Sequence, residues 1–145
     1  MTTVNVYLNF DGQCEEAFLF YKSVFGGEFP YFSRFKDMPK EDNSPEVATE
    51  EGNRIMHVTL PISAETCLMG SDISSVYSPE HMVGNNCSVS INVDSKAEAE
   101  KLHNGLSADG TIIMALQTTF WATSFGMFTD KFGINWIVNF EEETQ

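Results

Sequence analysis

Residues 3–10 (TVNVYLNF) alternate between apolar and polar side chains. Val4, Val6, Leu8 and Phe10 fall on one side, and Asn5, Tyr7 and Asn9 on the other, which is the period of a half-buried strand. Asp11-Gly12 breaks the alternation. From Gln13 to Phe25 the period changes, with Ala17, Phe20, Tyr21, Val24 and Phe25 forming a helical stripe that Gly26-Gly27 stops. Residues 28–35 are aromatic and strand-like. Residues 37–53 are acidic and proline-containing, and predict an exposed loop with a short helical turn. Strands follow at Arg54–Ile62 and Glu65–Ser71.

A loop from Asp72 to Asn86 leads to a second alternating strand, Cys87–Val93. Ser95-Lys96-Ala97-Glu98 has the pattern of a capping box, and Ala99, Leu102 and Leu106 give a buried helical stripe. Ala108-Asp109-Gly110 ends that helix, and strands are expected near Thr111–Thr118, Phe125–Thr129 and Asn135–Phe140. The order is β-α-β-β-β twice. Asn5-Val6-Tyr7-Leu8-Asn9-Phe10-Asp11 overlays Ser88-Val89-Ser90-Ile91-Asn92-Val93-Asp94 with the alternation in phase and an Asp before each helix. This agreement points to an internal duplication. The fold class is α+β: two βαβββ modules, residues 1–72 and 87–145, joined by a loop at 73–86. They form either one compact domain or a strand-exchanged dimer.

The apolar parity of each strand is expected to pack on a helix. The opposite parity collects Asn5, Tyr7, Asn9, His57, Thr59, Ser88, Ser90, Asn92, Asn135 and Asn139. Such a face either meets water, as antiparallel sheets commonly do, or lines a concave pocket.

Composition narrows the function. Hydrophobic residues make up 42% and charged residues 20%, so the chain has the means to fold. With 21 acidic against 8 basic residues, the formal charge of −13 repels phosphate backbones and anionic lipid. No nucleic-acid or membrane partner is expected, and the charge serves solubility. Cys14, Cys67 and Cys87 show no metal-ligand spacing and read as reduced thiols. The N-terminus lacks the features of a signal peptide, and no apolar run approaches the ~18–20 residues of a membrane helix. A cytoplasmic location follows.

Of the reactive side chains, His81 and His103 read as surface residues, Cys87 and Trp136 as core, and Glu15, Glu16 and Glu141-Glu142-Glu143 as solvated charge. His57, flanked by apolar residues and pointing to the polar face, is the candidate ligand contact or acid/base. No serine-nucleophile, P-loop or HExxH arrangement occurs. The chain holds 12 Phe, 4 Tyr and 2 Trp, more than one small core easily hides, which predicts burial against a second copy.

Two blocks carry a resemblance. Tyr7-Leu8-Asn9-Phe10-Asp11-Gly12, Glu16-Ala17 and Phe20-Tyr21-Lys22-Ser23-Val24-Phe25-Gly26-Gly27 form the first. Asp130-Lys131-Phe132-Gly133-Ile134-Asn135-Trp136, with Trp121 upstream, forms the second. Together with Ile55-Met56-His57-Val58 and Leu68-Met69-Gly70-Ser71-Asp72, they resemble the PhnB-like proteins of the vicinal oxygen chelate superfamily over nearly the whole chain. The resemblance implies paired βαβββ modules, a cup-shaped, mostly antiparallel sheet with helices outside, and a homodimer, sometimes with exchanged strands. It also implies that the Trp121–Phe125 region lines the cup or the dimer contact.

Metal enzymes of this superfamily place a His on the first strand of each module and a Glu near its last. Alignment on FYKSVFGG puts Asn5 and Ser88 at the His positions, and Met69 and Ile137 near the Glu positions. None of the four is a competent ligand for a divalent ion. Metal-dependent glyoxalase or dioxygenase chemistry is therefore disfavoured. Some family members carry a ubiquinone-pathway methyltransferase name, but no glycine-rich nucleotide loop is visible to support that activity here. The expected function is a metal-free, cofactor-free dimeric cup binding a small, largely apolar molecule of unidentified kind, as bleomycin-resistance relatives do. Its lining would comprise Asn5, Tyr7, Asn9, His57, Ser88, Asn92, Trp121 and Asn139. The alternatives are an enzyme using His57 as acid/base and a purely structural or interaction dimer.

Overall fold

Strand β1 (Val6–Phe10) buries Leu8 and Phe10 and leaves Tyr7 and Asn9 exposed, as its alternation predicts. The computed structural model describes residues 2–38, 49–76 and 80–142, and residues 1–82 and 83–145 form two compact units. In the first unit β1 is followed by α1 (Cys14–Phe25), β2 (Tyr31–Arg34), β3 (Ile55–Pro61) and β4 (Cys67–Asp72). The strand order is β1-β4-β3-β2, with β1 parallel to β4 and the other neighbours antiparallel. Single 3-10 turns occur at Phe35–Asp37 and Thr49–Glu51. The rest of the acidic loop, 39–48, lies outside the described residues, as do 77–79 of the connecting loop.

The second unit repeats this plan with β5 (Val89–Asn92), α2 (Lys96–Leu106), β6 (Thr111–Gln117), β7 (Ser124–Thr129) and β8 (Asn135–Phe140). Its order is β5-β8-β7-β6, and the first strand again pairs parallel to the last. The connectivity is that of two βαβββ modules in an α+β fold, each with its own four-stranded sheet. No helix of the described residues is long and apolar enough to cross a membrane.

Each helix covers one face of its sheet. On α1 the buried residues are Cys14, Ala17, Phe18 and Tyr21. The sequence stripe is thus rotated: Phe18 goes inward, while Phe20, Val24 and Phe25 are half-buried. Phe18 fits because Gly70 of β4 has no side chain, a Cβ there falling 2.6 Å from the Phe18 ring. The N-cap residue Gln13 makes no side-chain bond to the helix. Asp72, at the end of β4, supplies that function from across the sheet. Its Oδ1 accepts from the amides of Gly12 and Cys14, both at 2.9 Å, and its Oδ2 accepts from Ile55 N–H at 2.8 Å.

On α2, Ser95 Oγ accepts from Glu98 N–H at 3.1 Å, the local cap expected. The return bond reaches Asp94 N–H at 3.4 Å, one residue earlier than in a standard box. Ala99, Leu102, His103 and Leu106 form the buried face. His103 therefore lies in the core, not on the surface as its polarity suggested. Its ring meets Phe128 edge-on at 5.2 Å and lies over Gly126. Trp136 is buried as expected, its Nε1–H donating to Asp130 Oδ2 at 2.8 Å. Two other expectations fail. Val4 precedes the strand and is 91% exposed, and Cys87 precedes β5 and is exposed. Parity arguments hold only where the ladder holds the backbone.

Candidate functional site

Of the residues singled out by alternation, those within strands lie on the sheet faces turned away from the helices, whereas Asn5 and Ser88 precede β1 and β5. In the first unit, Tyr7 pairs with Met69, Met69 with Thr59, and Thr59 with Tyr31. Cross-strand partners share a face, so this row crosses all four strands. In the next row, Asn9 pairs with Ser71 and His57 with Ser33. Asn5 lies just ahead of β1, where its Oδ1 accepts from the Cys67 thiol at 3.6 Å.

His57 is the centre of this face. Its ring lies 5.6 Å from that of Tyr7 and 5.4 Å from that of Tyr31, both tyrosines being exposed. Nδ1 meets Tyr7 Oη at 3.3 Å and Nε2 meets Thr59 Oγ1 at 3.1 Å. A neutral imidazole needs one donor and one acceptor, and hydroxyls serve as either. Each ring nitrogen of the histidine thus has a hydroxyl partner. Tyr31 was not among the sequence candidates, because its run of aromatics concealed an alternation with Ser33. Ser33 Oγ is buried and has no hydrogen-bond partner among the described residues.

In the second unit, Ser90, Ile137, Met127 and Met114 form one row, and Asn92, Asn139, Phe125 and Gln117 another. Asn139 Nδ2 donates to Asn92 Oδ1 at 3.1 Å and to Glu141 Oε1 at 3.4 Å. Its own Oδ1 is buried and accepts no bond among the described residues. Trp121 packs edge-on against Phe125 at 5.2 Å and against Phe120 at 4.7 Å, and Phe120 is 96% exposed. Their loop is held by Thr119 Oγ1 accepting from Ala122 N–H and Thr118 Oγ1 donating to Thr123 O. Ser88 is exposed ahead of β5. Asn5, Tyr7, Asn9 and His57 thus gather in one unit, and Asn92, Trp121 and Asn139 in the other.

The four positions that the resemblance assigns to a metal do not fit one. Asn5 presents an amide already bonded to a thiol, Ser88 a hydroxyl, Met69 a thioether and Ile137 a hydrocarbon. Among the described residues no three His, Cys, Asp or Glu side chains come together to hold a metal. The two helix entrances also have internal ligands, since Asp72 and Ser95 take the amides that anions bind elsewhere. Burial and the neighbouring Asp72 carboxylate push the Cys14 thiol strongly upward in pKa, so this cysteine at a helix start is held protonated.

Residues 2–139 match the model of a family described as 3-demethylubiquinone-9 3-methyltransferase. The chain is 33% identical over 141 residues to protein YjdN of Escherichia coli, covering 92% of this chain and 91% of that protein. Protein PA1353 of Pseudomonas aeruginosa is 42% identical with a TM-score of 0.84, covering 99% of this chain and 100% of that one. A Bacillus cereus protein described as a putative 3-demethylubiquinone-9 3-methyltransferase, PhnB protein, has a TM-score of 0.73 at 24% identity over 96% and 99% of the two chains. More distant likenesses, in fold alone, include a glyoxalase/bleomycin resistance/dioxygenase family enzyme.

Proposed function

The chain belongs to the family described as 3-demethylubiquinone-9 3-methyltransferase, a PhnB-like family of the vicinal oxygen chelate superfamily, and from that premise we propose that it binds a small, largely apolar molecule on its helix-free sheet faces without the superfamily's metal. It does so as a cytoplasmic homodimer. The observation that carries this reading is the cluster of exposed Tyr7 and Tyr31 about an internally satisfied His57. Aromatic faces around an imidazole whose nitrogens are both paired to hydroxyls offer contact area with few open polar groups to desolvate. Trp121, Phe125 and Asn139 offer the same chemistry in the second unit, an aromatic surface beside an amide acceptor.

The chain lacks the features of the methyl transfer that the family's description names. No G-x-G-x-x-G turn of the kind that would hold a nucleoside methyl donor occurs in the sequence, and the Gly12 and Cys14 amides at the start of α1 are engaged by Asp72. A second reading, acid/base catalysis by His57, draws on its bond to the Tyr7 hydroxyl. It is the weaker one, because a general base needs a nitrogen directed at substrate and both ring nitrogens already have partners.

The experiment is a thermal-shift screen of neutral aromatic and aliphatic compounds in chelator. Ligand at a hundred times its Kd stabilises by about 2.7 kcal/mol, a readily measured change in Tm. Hits whose shift falls in Tyr31→Ala or Trp121→Ala support the proposal. No hit, or shifts unchanged in both variants, would refute it.

A further inference from the structure

We infer that Asn139 determines which ligand the second unit accepts. Its side-chain oxygen takes a hydrogen bond from a neutral aromatic molecule with an N–H or O–H on its rim, as in indoles and phenols. This deepens the binding reading above and rests on it. Among the described residues, Ser33 Oγ, His103 Nε2 and Asn139 Oδ1 are buried without a hydrogen-bond partner. Buried polar atoms in native folds are nearly always paired, so each calls for an explanation. A hydroxyl serves as donor or acceptor, so Ser33 names no ligand chemistry. His103 lies against Gly126 on the helix side of its sheet, away from the ligand face. Asn139 is the informative one.

The Asn139 amide is held in one orientation. Its Nδ2 donates to Asn92 Oδ1 at 3.1 Å and to Glu141 Oε1 at 3.4 Å. Turning the amide over would set its oxygen against the Glu141 carboxylate, which only accepts. Oδ1 is therefore an acceptor left without a donor. The residue is half-buried and points away from α2, whose side of β8 is taken by Trp136 and Val138. What closes off the oxygen thus lies outside the helix-side core, where a bound molecule can displace it.

The surroundings select the rest of the ligand. Asn139 is the cross-strand partner of Phe125, and Trp121 stands edge-on to Phe125 at 5.2 Å. The Trp121 loop is tied to the end of β8: Thr123 N–H donates to Phe140 O at 2.8 Å, and Glu142 N–H to Thr123 Oγ1 at 3.0 Å. Two aromatic rings are thus fixed beside the open oxygen, and a flat molecule can stack against them. The row Asn92, Asn139, Phe125, Gln117 and the row Ser90, Ile137, Met127, Met114 contain no charged residue. A charged ligand would find no counter-ion within them to offset its desolvation. Glu141 beside Asn139, in a chain of −13, turns carboxylates and phosphates away. A neutral aromatic with a hydrogen-bond donor meets all of these conditions.

Titration calorimetry with matched probes tests this: indole against N-methylindole, and naphthol against its methyl ether. Each pair keeps the ring system and removes the donor. The wild type should bind the donor-bearing member roughly tenfold more tightly, the worth of one hydrogen bond to an otherwise unpaired acceptor. In Asn139→Leu, whose fold circular dichroism checks, that preference should disappear, whereas a purely steric effect of the added methyl group would persist. The comparison within the wild type needs no substitution, so it decides the matter even where Asn139→Leu does not fold. Equal affinities within both pairs, or a preference that survives in Asn139→Leu, overturns the assignment and leaves ligand binding on the face standing. If no probe binds while the thermal-shift screen yields other hits, the assignment alone falls. If nothing binds in either experiment, both readings fall.

Discussion

Asp72 Oδ1 accepts the backbone N–H of Cys14 at 2.9 Å, so the carboxylate closing β4 caps the helix that begins 58 residues earlier. The same oxygen takes Gly12 N–H, and Oδ2 takes Ile55 N–H at the start of β3. One buried side chain thus ties three elements of the first unit together. Charge-assisted bonds to backbone amides are among the stronger ones, and a lost partner leaves buried donors unsatisfied. Asp72→Ala should cost roughly 3 kcal/mol in urea unfolding. Asp72→Asn should cost about half as much, because an amide oxygen can still accept at the helix start while its NH2 faces a donor.

Cys14 shares that environment. Burial first, and the Asp72 charge second, raise its pKa far above the ordinary thiol value. The folded state therefore holds this proton more tightly than the unfolded chain. Stability from this group is intact below about pH 9 and is lost as the pH rises above it. Cys14→Ala should flatten the alkaline fall in stability by up to about 1.4 kcal/mol per pH unit. In native protein a thiol reagent should label Cys87 and Cys67 and spare Cys14 until denaturant is added, given their exposed, intermediate and buried positions.

His103 and Gly126 form a second coupled pair. A Cβ on Gly126 would approach the imidazole Cδ2 to 2.6 Å and Nε2 to 2.8 Å. Gly126→Ala should destabilise by about 2 kcal/mol through overpacking. In a His103→Ala background the same change should cost much less, since the colliding ring is gone. A double-mutant cycle in denaturant reads the coupling, and additive effects would mean that the ring moves aside freely.

These pairs also mark where the sequence was legible. The alternation of β1 and β5, the Asp before each helix and the Ser95 cap are local patterns, and they yielded the two βαβββ modules directly. His103 shares a helix face with Ala99 and Leu102, but its polarity outweighed its period, and the space above Gly126 comes from another element. The Asp72 cap could not be read locally because its partners lie far back along the chain. Tyr7, His57, Asn92 and Asn139 occupy the faces that parity predicts, whereas Tyr31 joins them only through strand pairing. Ligand identity is harder still to read, because it depends on surface assembled from several strands at once.

Trp121 lends itself to an optical test. It is exposed and Trp136 is buried, so a bound ligand should change the emission of the first and spare the second. Trp121→Phe should abolish most of the ligand-induced change. A response that persists in that variant would place the ligand elsewhere.

The central claim is metal-free binding on the helix-free faces, and an amide NMR titration with a screening hit, in excess chelator, tests it most directly. The predicted result is saturable shifts concentrated at Tyr7, Tyr31, His57, Asn92, Trp121 and Asn139. Shifts confined to α1 and α2, or binding that appears only when a divalent metal is restored, would contradict it.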